Sequence, residues 1–418
     1  MDKLIEEYKK SLDIIYDDYL CSLDNLKHAL KEKKDDELNL SHISLIKNKL
    51  LDIPIELCTE DNIELLYKVI DNICNSYHKF LTLNTLEFYH QINISFISRY
   101  DTLCPLQNPI YLDIQGNKYV YNASKIQFDN SDFIYFPSHC PIFDGYKMPD
   151  IDLFLKMLID NDIKTICIPL TFEPSKTFKW FPTNKSIIKK YTSKILVEQY
   201  EDKTQIRECD YELKLLNKIT YIDNQDKNKD ETSITESIKI YTVEINDKIA
   251  NKKQIINIYR YDNWPDKNIP DNYNLIYRYV HMVYTILQNS TNKKVLIHCS
   301  AGVGRTGTLI ICLELLKYIN DNLLNLKTFN KIKDFKIEEI YKLILNKIIY
   351  LRQYRPLTVQ TLTQFKLIIN IVKFFLQKFN KEYHLYDQSS IIDTKYKELP
   401  LCGNDCKYWL IDIKNLYK

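Results

Sequence analysis

Apolar residues recur every three or four positions over residues 4–30, which is the period of an amphipathic helix. This stripe consists of Leu4, Tyr8, Leu12, Ile15, Tyr19, Leu23, Leu26 and Leu30. Shorter patterns predict a second helix over 41–51 and a third over 61–81. The third helix carries its apolar stripe on Ile63, Leu66, Ile70, Ile73 and Tyr77.

These patterns predict an all-helical extension over residues 1–80. We expect it to form a small helical bundle that packs on the rest of the chain and has no catalytic role. The alternative is a module that binds a protein partner or forms a coiled coil. Residues 81–385 are then expected to form the main domain, and residues 386–418 a tail without a chemical motif. The polar stretch 223–237 predicts a hairpin tip between two strands.

The pattern changes near residue 300, where two apolar segments flank a short loop. Residues 294–297 are typical of a buried strand, and the apolar run that starts at residue 308 is typical of a helix. The chain has only six glycines, and Gly302, Gly304 and Gly307 lie between these two segments. A strand, a glycine-rich loop and a helix N-terminus predict an anion-binding cradle, because the backbone N–H groups and the helix dipole both favour negative charge.

The two ends of this loop carry the residues that suit phosphate chemistry. A free thiol has a pKa of about 8.5, and cations or a helix N-terminus can lower it to about 3.5–7.5. Cys299 is therefore expected to be a nucleophilic thiolate at neutral pH. The planar guanidinium of Arg305 matches two oxygens of a phosphate. The pair predicts attack on phosphorus and a cysteinyl-phosphate intermediate, while a buried, inert cysteine is the alternative.

The sequence around this loop resembles the signature of the protein tyrosine phosphatases. We call it the phosphate loop, and it reads His298-Cys299-Ser300-Ala301-Gly302-Val303-Gly304-Arg305-Thr306-Gly307. Four other segments resemble the same family in the same order: Ser98-Arg99-Tyr100 the phosphotyrosine-recognition loop, Tyr121-Asn122-Ala123-Ser124 an early strand, Trp264-Pro265-Asp266 the acid loop, and residues 352–364 the glutamine loop. The resemblance covers about residues 85–380 and implies an α/β fold, with a twisted mixed β-sheet flanked by helices.

The resemblance also implies a role for each matched residue. Asp266 would protonate the departing phenolate and later act as a base, which requires the closed loop to desolvate it and raise its pKa. Gln360 would orient the hydrolytic water with support from Gln364. Thr306 would donate a hydrogen bond to the sulfur of Cys299.

Substrate binding is implied by the same resemblance. The backbone from Ser300 through Ala301, Gly302, Val303 and Gly304 would bind the phosphate together with Arg305. Tyr100 would form one wall of a narrow slot and stack on the substrate ring. His298 and Trp264 would support the site, and Glu173 would pair with Arg305.

The chain departs from the family pattern at several positions. Ser138-His139-Cys140-Pro141 replaces a Gln-Gly-Pro turn, and Asp101, Lys267 and Leu357 replace other common residues. The expected function is hydrolysis of phosphotyrosine in proteins. One alternative is a phosphotyrosine-binding pseudophosphatase, which the intact Cys299 argues against. Another is a phosphatase acting on phosphoserine or phosphoinositide, which Tyr100 argues against.

Composition adds limits to this picture. The formal net charge is +2, which is too balanced to favour nucleic acid as a partner. The eleven cysteines have no regular spacing, which indicates reduced thiols and a cytoplasmic protein, with delivery into a host cell left open. We expect no metal site, no cofactor, no signal peptide and no transmembrane segment. The expected partners are phosphotyrosine proteins, with a further protein partner possible through residues 1–80.

Overall fold

A computed structural model of the protein describes ten stretches of the chain. They are residues 53–68, 70–71, 74, 109–114, 117–141, 150–170, 177–200, 203–222, 236–321 and 337–383. The helices predicted over 4–30 and 41–51, most of the hairpin tip 223–237 and the tail 386–418 lie outside these stretches. Tyr100, Asp101 and Glu173 also lie outside them.

The described residues contain one mixed β-sheet of nine strands. The strands are β1 (Pro109–Ile114), β2 (Asn117–Ser124), β3 (Ile134–Ser138), β4 (Thr165–Pro169), β5 (Ile188–Tyr200), β6 (Lys203–Ile222), β7 (Ser237–Asp247), β8 (Lys252–Asp262) and β9 (Lys294–His298). Their order across the sheet is β1-β2-β3-β9-β4-β8-β7-β6-β5. The four central strands β3, β9, β4 and β8 are parallel, and the flanking pairs are antiparallel.

Five helices cover the two faces of this sheet within the described part of the chain. They are α1 (Ile151–Asp160), α2 (Tyr273–Asn289), α3 (Gly304–Ile319), α4 (Ile337–Tyr354) and α5 (Leu362–Tyr383). One hydrophobic cluster packs α2, α3, α4 and α5 on one face, and a second packs α1 on the other. The predicted α/β class, a twisted mixed sheet flanked by helices, is confirmed.

Helix α3 is the central helix of the molecule. All of its residues except Tyr318 are buried, so it has no polar face, and this explains the continuous apolar run in the sequence. It begins at Gly304, four residues before the predicted start, because the glycines of the phosphate loop form its first turn. The predicted strand over 294–297 is β9, and the strands on either side of the predicted hairpin tip pair in antiparallel register, with Ile222 opposite Ser237.

The described part of the N-terminal region packs into the same core as α3 and α5. Residues 63–68, 70 and 71 are helical, and we call this stretch the Tyr67 helix. Its buried side chains Ile63, Leu66, Tyr67 and Ile70 belong to the larger hydrophobic cluster, as do Ile53 and Leu57 before it. The stripe predicted from Ile63 to Ile70 therefore faces the core. The extension as a whole and its boundary at residue 80 remain predictions.

Candidate active site

The phosphate loop connects the C-terminal end of β9 to the N-terminus of α3. Cys299 follows the last residue of the strand, and its side chain is buried against the sheet. The first turn of α3 closes on the loop, with the Gly307 N–H donating to the Val303 carbonyl at 2.8 Å. The sulfur therefore lies at a helix N-terminus, where unpaired N–H groups and the helix dipole favour a negative charge.

The surroundings of Cys299 favour its ionised form. Burial acts to raise the pKa of the thiol, but Arg305 and hydrogen bonds from Thr306 and Gly302 outweigh it, and the pKa falls below its ordinary value. The buried Thr306 hydroxyl makes no other hydrogen bond within the described part of the chain, so it is available to the sulfur. For two other buried thiols, Cys167 and Cys312, burial dominates and raises the pKa, although Cys167 has a hydrogen bond with Tyr279.

The shape of the phosphate loop is fixed from outside. Cys140 N–H donates to the Ser300 carbonyl at 2.9 Å. Arg355 donates to the carbonyls of Ala301 and Gly302 at 3.0 and 3.2 Å. Three consecutive carbonyls are thus held on the outer side, which leaves backbone N–H groups on the inner side for an anion.

Gly302 is required by the geometry of this loop. Its φ angle is +74°, and a Cβ atom there would lie 2.1 Å from the carbonyl oxygen of Ser138. Both the backbone angle and the space exclude a side chain. The segment of the sequence that departs from the family pattern, residues 138–141, is therefore the wall on which the phosphate loop rests.

That wall contains a buried contact between a histidine and a carboxylate. His139 Nε2 lies 2.7 Å from the carboxylate of Asp150, and its ring stacks on Tyr121 at 4.6 Å between centroids. The Tyr121 hydroxyl donates to the His139 carbonyl at 3.1 Å. These contacts secure residues 138–141, although the sequence there differs from the family's usual turn.

Arg305 and the acid loop are in contact in this conformation. One guanidinium nitrogen donates to the Trp264 carbonyl at 2.9 Å, and another to the Asp266 carboxylate at 2.8 Å. The Asp266 side chain is 59% exposed, so the desolvation expected for a closed acid loop is absent here. Glu173, the expected partner of Arg305, lies outside the described residues. Asp266 thus bonds one guanidinium nitrogen, Nη2, while Nε of Arg305 has no hydrogen-bond partner within the described residues.

His298 is fixed in one protonation form by its neighbours. Its Nε2 lies 3.2 Å from the indole nitrogen of Trp180, and its Nδ1 lies 3.1 Å from the Cys299 carbonyl. An indole N–H can only donate, so Nε2 accepts, and the ring hydrogen is on Nδ1. Burial lowers the pKa of His298 to about 4, and the ring is neutral near pH 7.

The glutamine loop closes over the start of α3. A Cβ atom at Gly304 would lie 2.9 Å from Gln364 Nε2 and 3.2 Å from Gln360 Oε1. Both amide side chains therefore contact the phosphate loop. Gln364 Oε1 accepts from the Gln360 N–H at 2.8 Å, and its buried Nε2 has no hydrogen-bond partner within the described stretches.

Several supporting residues were not assigned a role from the sequence. Trp180 holds His298, Arg355 holds the phosphate loop, and Tyr67 contacts the glutamine loop at Val359. Arg355 belongs to the matched glutamine segment, which is the only signal that pointed to it. Trp180 lies in an aromatic run, and nothing local relates it to a histidine more than a hundred residues later.

No group of three or more His, Cys, Asp or Glu side chains is arranged to hold a metal ion in the part of the chain that is described. Within the same stretches, none of the helices combines the length and apolar character needed to span a bilayer.

Comparison with known proteins assigns the chain to a family. The family model of protein-tyrosine phosphatases matches residues 98–373, which is well over half of the chain. The chain therefore belongs to the protein-tyrosine phosphatase family. This agrees with the resemblance seen in the phosphate loop, the acid loop and the glutamine loop.

Individual relatives are similar over shorter segments. Receptor-type tyrosine-protein phosphatase V of Rattus norvegicus is 31% identical over 115 residues, covering 27% of this chain and 6% of that protein. Tyrosine-protein phosphatase 1 of Schizosaccharomyces pombe is 31% identical over 114 residues, covering 27% of this chain and 19% of that protein. Tyrosine-protein phosphatase non-receptor type 12 of Homo sapiens is 31% identical over 140 residues, covering 34% and 16%. The aligned segments thus span under one fifth of these relatives.

Proposed function

We propose that the protein hydrolyses phosphotyrosine in proteins through a cysteinyl-phosphate intermediate on Cys299. The observation that carries this proposal is a buried thiol whose pKa is lowered by Arg305 and by donors of the phosphate loop. A thiolate at the base of an anion cradle is suited to attack on phosphorus. Membership of the protein-tyrosine phosphatase family and the names of the relatives support phosphotyrosine as the substrate class.

In the first step the Cys299 sulfur attacks phosphorus, and the bond from phosphorus to the tyrosyl oxygen breaks. The departing oxygen takes a proton from Asp266, which makes a phenol rather than a phenolate the leaving group. Arg305 and the inward N–H groups of the phosphate loop stabilise the charge on the equatorial oxygens. Asp266 bonds Nη2 of Arg305 in this conformation, so a phosphate that binds the guanidinium competes with the carboxylate for that nitrogen.

In the second step a water attacks the phosphorus of the intermediate, and the bond from phosphorus to sulfur breaks. Asp266, now ionised, accepts the proton of that water. Gln360 and Gln364 orient the water, and their contacts with Gly304 support this role. Thr306 donates to the departing sulfur, for which its otherwise unpaired hydroxyl is available. The products are inorganic phosphate and the restored thiolate.

The proposed preference for phosphotyrosine over phosphoserine and phosphoinositide rests on the family and on the slot wall proposed for Tyr100. Tyr100 itself lies outside the described residues. The proposed partners are proteins that carry phosphotyrosine, together with a possible partner of residues 1–80. The proposed compartment is the cytoplasm, where a catalytic thiol stays reduced.

The proposal is tested with purified full-length protein and three substrates of equal concentration: a phosphotyrosine peptide, the matching phosphoserine peptide and a short-chain phosphoinositide. We expect the phosphotyrosine peptide to have a kcat/KM several orders of magnitude above the other two. Cys299→Ser should reduce turnover of every substrate to background, because a hydroxyl does not ionise at neutral pH. Tyr100→Ala should reduce the preference for phosphotyrosine by removing ring stacking.

Three results would contradict this proposal in different ways. Rates on the phosphoserine peptide or the phosphoinositide comparable to that on the phosphotyrosine peptide would show that the protein is a phosphatase of broader specificity. Tight phosphopeptide binding without turnover by the wild-type protein would favour a pseudophosphatase. Turnover by Cys299→Ser within about tenfold of the wild type would exclude Cys299 as the nucleophile.

A further inference from the structure

The backbone just before Gln360 is held in an unfavourable conformation. Leu357 has a φ angle of +61° and Val359 one of +54°. Positive φ is costly for any residue with a Cβ atom, and most of all for a β-branched one such as Val359. Such a conformation persists only where surrounding contacts impose it. The contacts that impose it here also set the position of the Gln360 backbone, which follows directly.

Arg352, at the end of α4, supplies the first of these contacts. Its Nε donates to the Thr358 carbonyl at 2.9 Å, and its Nη2 donates to the Val359 carbonyl at 2.9 Å. The side chain is buried, so the strength of these bonds is little reduced by water. One guanidinium therefore fixes two consecutive peptide units.

The Tyr67 helix supplies the second contact, from a position nearly three hundred residues earlier in the chain. The buried Tyr67 hydroxyl donates to the Val359 carbonyl at 2.6 Å. Asp71, one turn further along the same helix, pairs with Arg352 at 2.7 Å. The Tyr67 ring also stacks on Phe365 of α5 at 4.4 Å between centroids. The helix thus contacts both the strained carbonyl and the arginine that holds it.

The N–H group of the same peptide contacts the side chains that are proposed to orient the water. The carbonyl of Val359 belongs to the peptide whose N–H is that of Gln360, and this N–H donates to Gln364 Oε1 at 2.8 Å. A change in the Val359 peptide therefore moves the donor that orients Gln364. The hydrogen bonds of Arg305 go to Trp264 and Asp266, and the donors that lower the pKa of Cys299 are Arg305, Thr306 and Gly302. None of these contacts runs through the Val359 peptide, although Gly307 packs against Thr358 and Val359.

We propose that Tyr67 and Asp71 are positioning residues for the second chemical step, the hydrolysis of the cysteinyl-phosphate. Together with Arg352 they hold the Val359 peptide so that Gln360 and Gln364 face the phosphate loop. This inference rests on the proposed phosphatase activity. It departs from the expectation that residues 1–80 have no catalytic role, and it involves residues before the segment 98–373 that matches the family.

The two chemical steps can be separated by pre-steady-state kinetics with p-nitrophenyl phosphate and the full-length protein. Nitrophenolate is released in the first step, so kcat/KM reports that step, and kcat also reports hydrolysis of the intermediate. Tyr67→Phe removes only the hydroxyl and keeps the ring contacts with Phe365 and Arg352. We expect kcat to fall about three- to tenfold, the scale of one hydrogen bond, with kcat/KM changed less than about twofold.

The same variant should show a burst of nitrophenolate of up to one molecule per active site, because the intermediate then accumulates. Asp71→Asn should give a smaller change in the same direction. The matched control is Tyr341→Phe, which also removes a single hydroxyl, but one that bonds Glu60 of the N-terminal region rather than the Val359 carbonyl. In this control, kcat, kcat/KM and the burst amplitude should all equal those of the wild type.

Each other outcome overturns the inference. An equal fall of kcat and kcat/KM in Tyr67→Phe would indicate a general structural effect. Unchanged kinetics in Tyr67→Phe would exclude a positioning role, and the same split in Tyr341→Phe would make it a property of the whole N-terminal region. A folded wild-type protein that releases no nitrophenolate would instead overturn the proposed function, and this inference with it.

Discussion

The phosphate loop and the glutamine loop lie against each other, yet they are built in different ways. The phosphate loop combines a strand end, a glycine at φ +74° and a helix N-terminus in ten consecutive residues, and Cys140 and Arg355 hold its carbonyls from outside. The glutamine loop has non-glycine residues at positive φ and depends on Arg352 and the distant Tyr67 helix. We propose that the first loop prepares Cys299 as the nucleophile and that the second orients the water. Apart from Arg355 and the packing of Gly307 on Thr358 and Val359, the two loops are therefore held by different contacts.

This difference predicts that variants near the two loops will affect different steps. The largest effect is expected for Asp266→Asn, since Asp266 is proposed to act in both steps. Its kcat for aryl phosphates should fall by about 10²–10⁴, the usual scale of general acid catalysis. The loss should be smaller for leaving groups that need no proton. Equal losses for leaving groups of different pKa would indicate a structural role.

The same variant tests the ion pair between Asp266 and Arg305. Removing the carboxylate frees the guanidinium donors, so inorganic phosphate should inhibit Asp266→Asn at least as strongly as it inhibits the wild type. Inhibition constants measured side by side decide this. Clearly weaker inhibition of the variant would mean that the ion pair does not compete with the phosphate.

Arg355 joins the two loops, and its removal should affect stability more than chemistry. Arg355→Met would leave the carbonyls of Ala301 and Gly302 and the side chain of Asn122 without a buried donor. We expect the free energy of unfolding to fall by about 3 kcal/mol or more, since each unpaired buried group costs about 1–3 kcal/mol. Urea denaturation measures this. A loss below about 1 kcal/mol would mean that water or rearrangement replaces the arginine.

The buried His298 should give the phosphate loop a pH-dependent stability. Its pKa is about 4 in the folded protein and 6.5 in an unfolded chain. The unfolded state therefore binds more protons between these values. The resulting stability is fully present above pH 6.5 and is lost as the pH falls towards 4, by at most about 3 kcal/mol.

The control for this effect is a residue that cannot titrate. His298→Asn should lose less unfolding free energy than the wild type between about pH 7 and pH 4.5, because its side chain contributes no proton uptake. Denaturation curves at several pH values give both slopes. Identical slopes would show that His298 titrates with its ordinary pKa or is reached by water in the folded protein.

The smallest effect is expected for Trp180→Phe. The phenyl ring keeps the edge contact with Phe154 but removes the indole donor to His298 Nε2. Loss of one buried hydrogen bond should lower the free energy of unfolding by about 1 kcal/mol, with kcat changed less than about fivefold. Thermal unfolding and steady-state kinetics measure the two quantities. A loss of kcat above about a hundredfold would make Trp180 essential to the chemistry.

The same contrast explains how much of the molecule could be predicted from its sequence. The phosphate loop was recognisable because strand, glycines and helix are adjacent in the chain, and β9 and the fold class were predicted correctly. The predicted start of α3 is four residues too late, because the sequence marks the apolar run of the helix but not the glycine turn before it. Local chemistry is visible in a local pattern.

The supports of the site were not visible in the same way. Trp180 and His298 are 118 residues apart, and Tyr67 and Val359 are 292 apart, so only the fold brings each pair together. The exposed Asp266 paired with Arg305 also differs from the desolvated acid that the mechanism predicts. That difference concerns the position of the acid loop relative to Arg305, which the local sequence pattern does not specify.

The central proposal is that the phosphoryl group is transferred to Cys299 and then hydrolysed by water. The direct test is to mix wild-type protein with a radiolabelled phosphotyrosine peptide, quench with acid within milliseconds and map the labelled fragment. We predict one labelled fragment, containing Cys299, more label in Tyr67→Phe and none in Cys299→Ser. Label on another residue, or turnover in the wild type without any covalent label in either Tyr67→Phe or the wild type, would contradict the account.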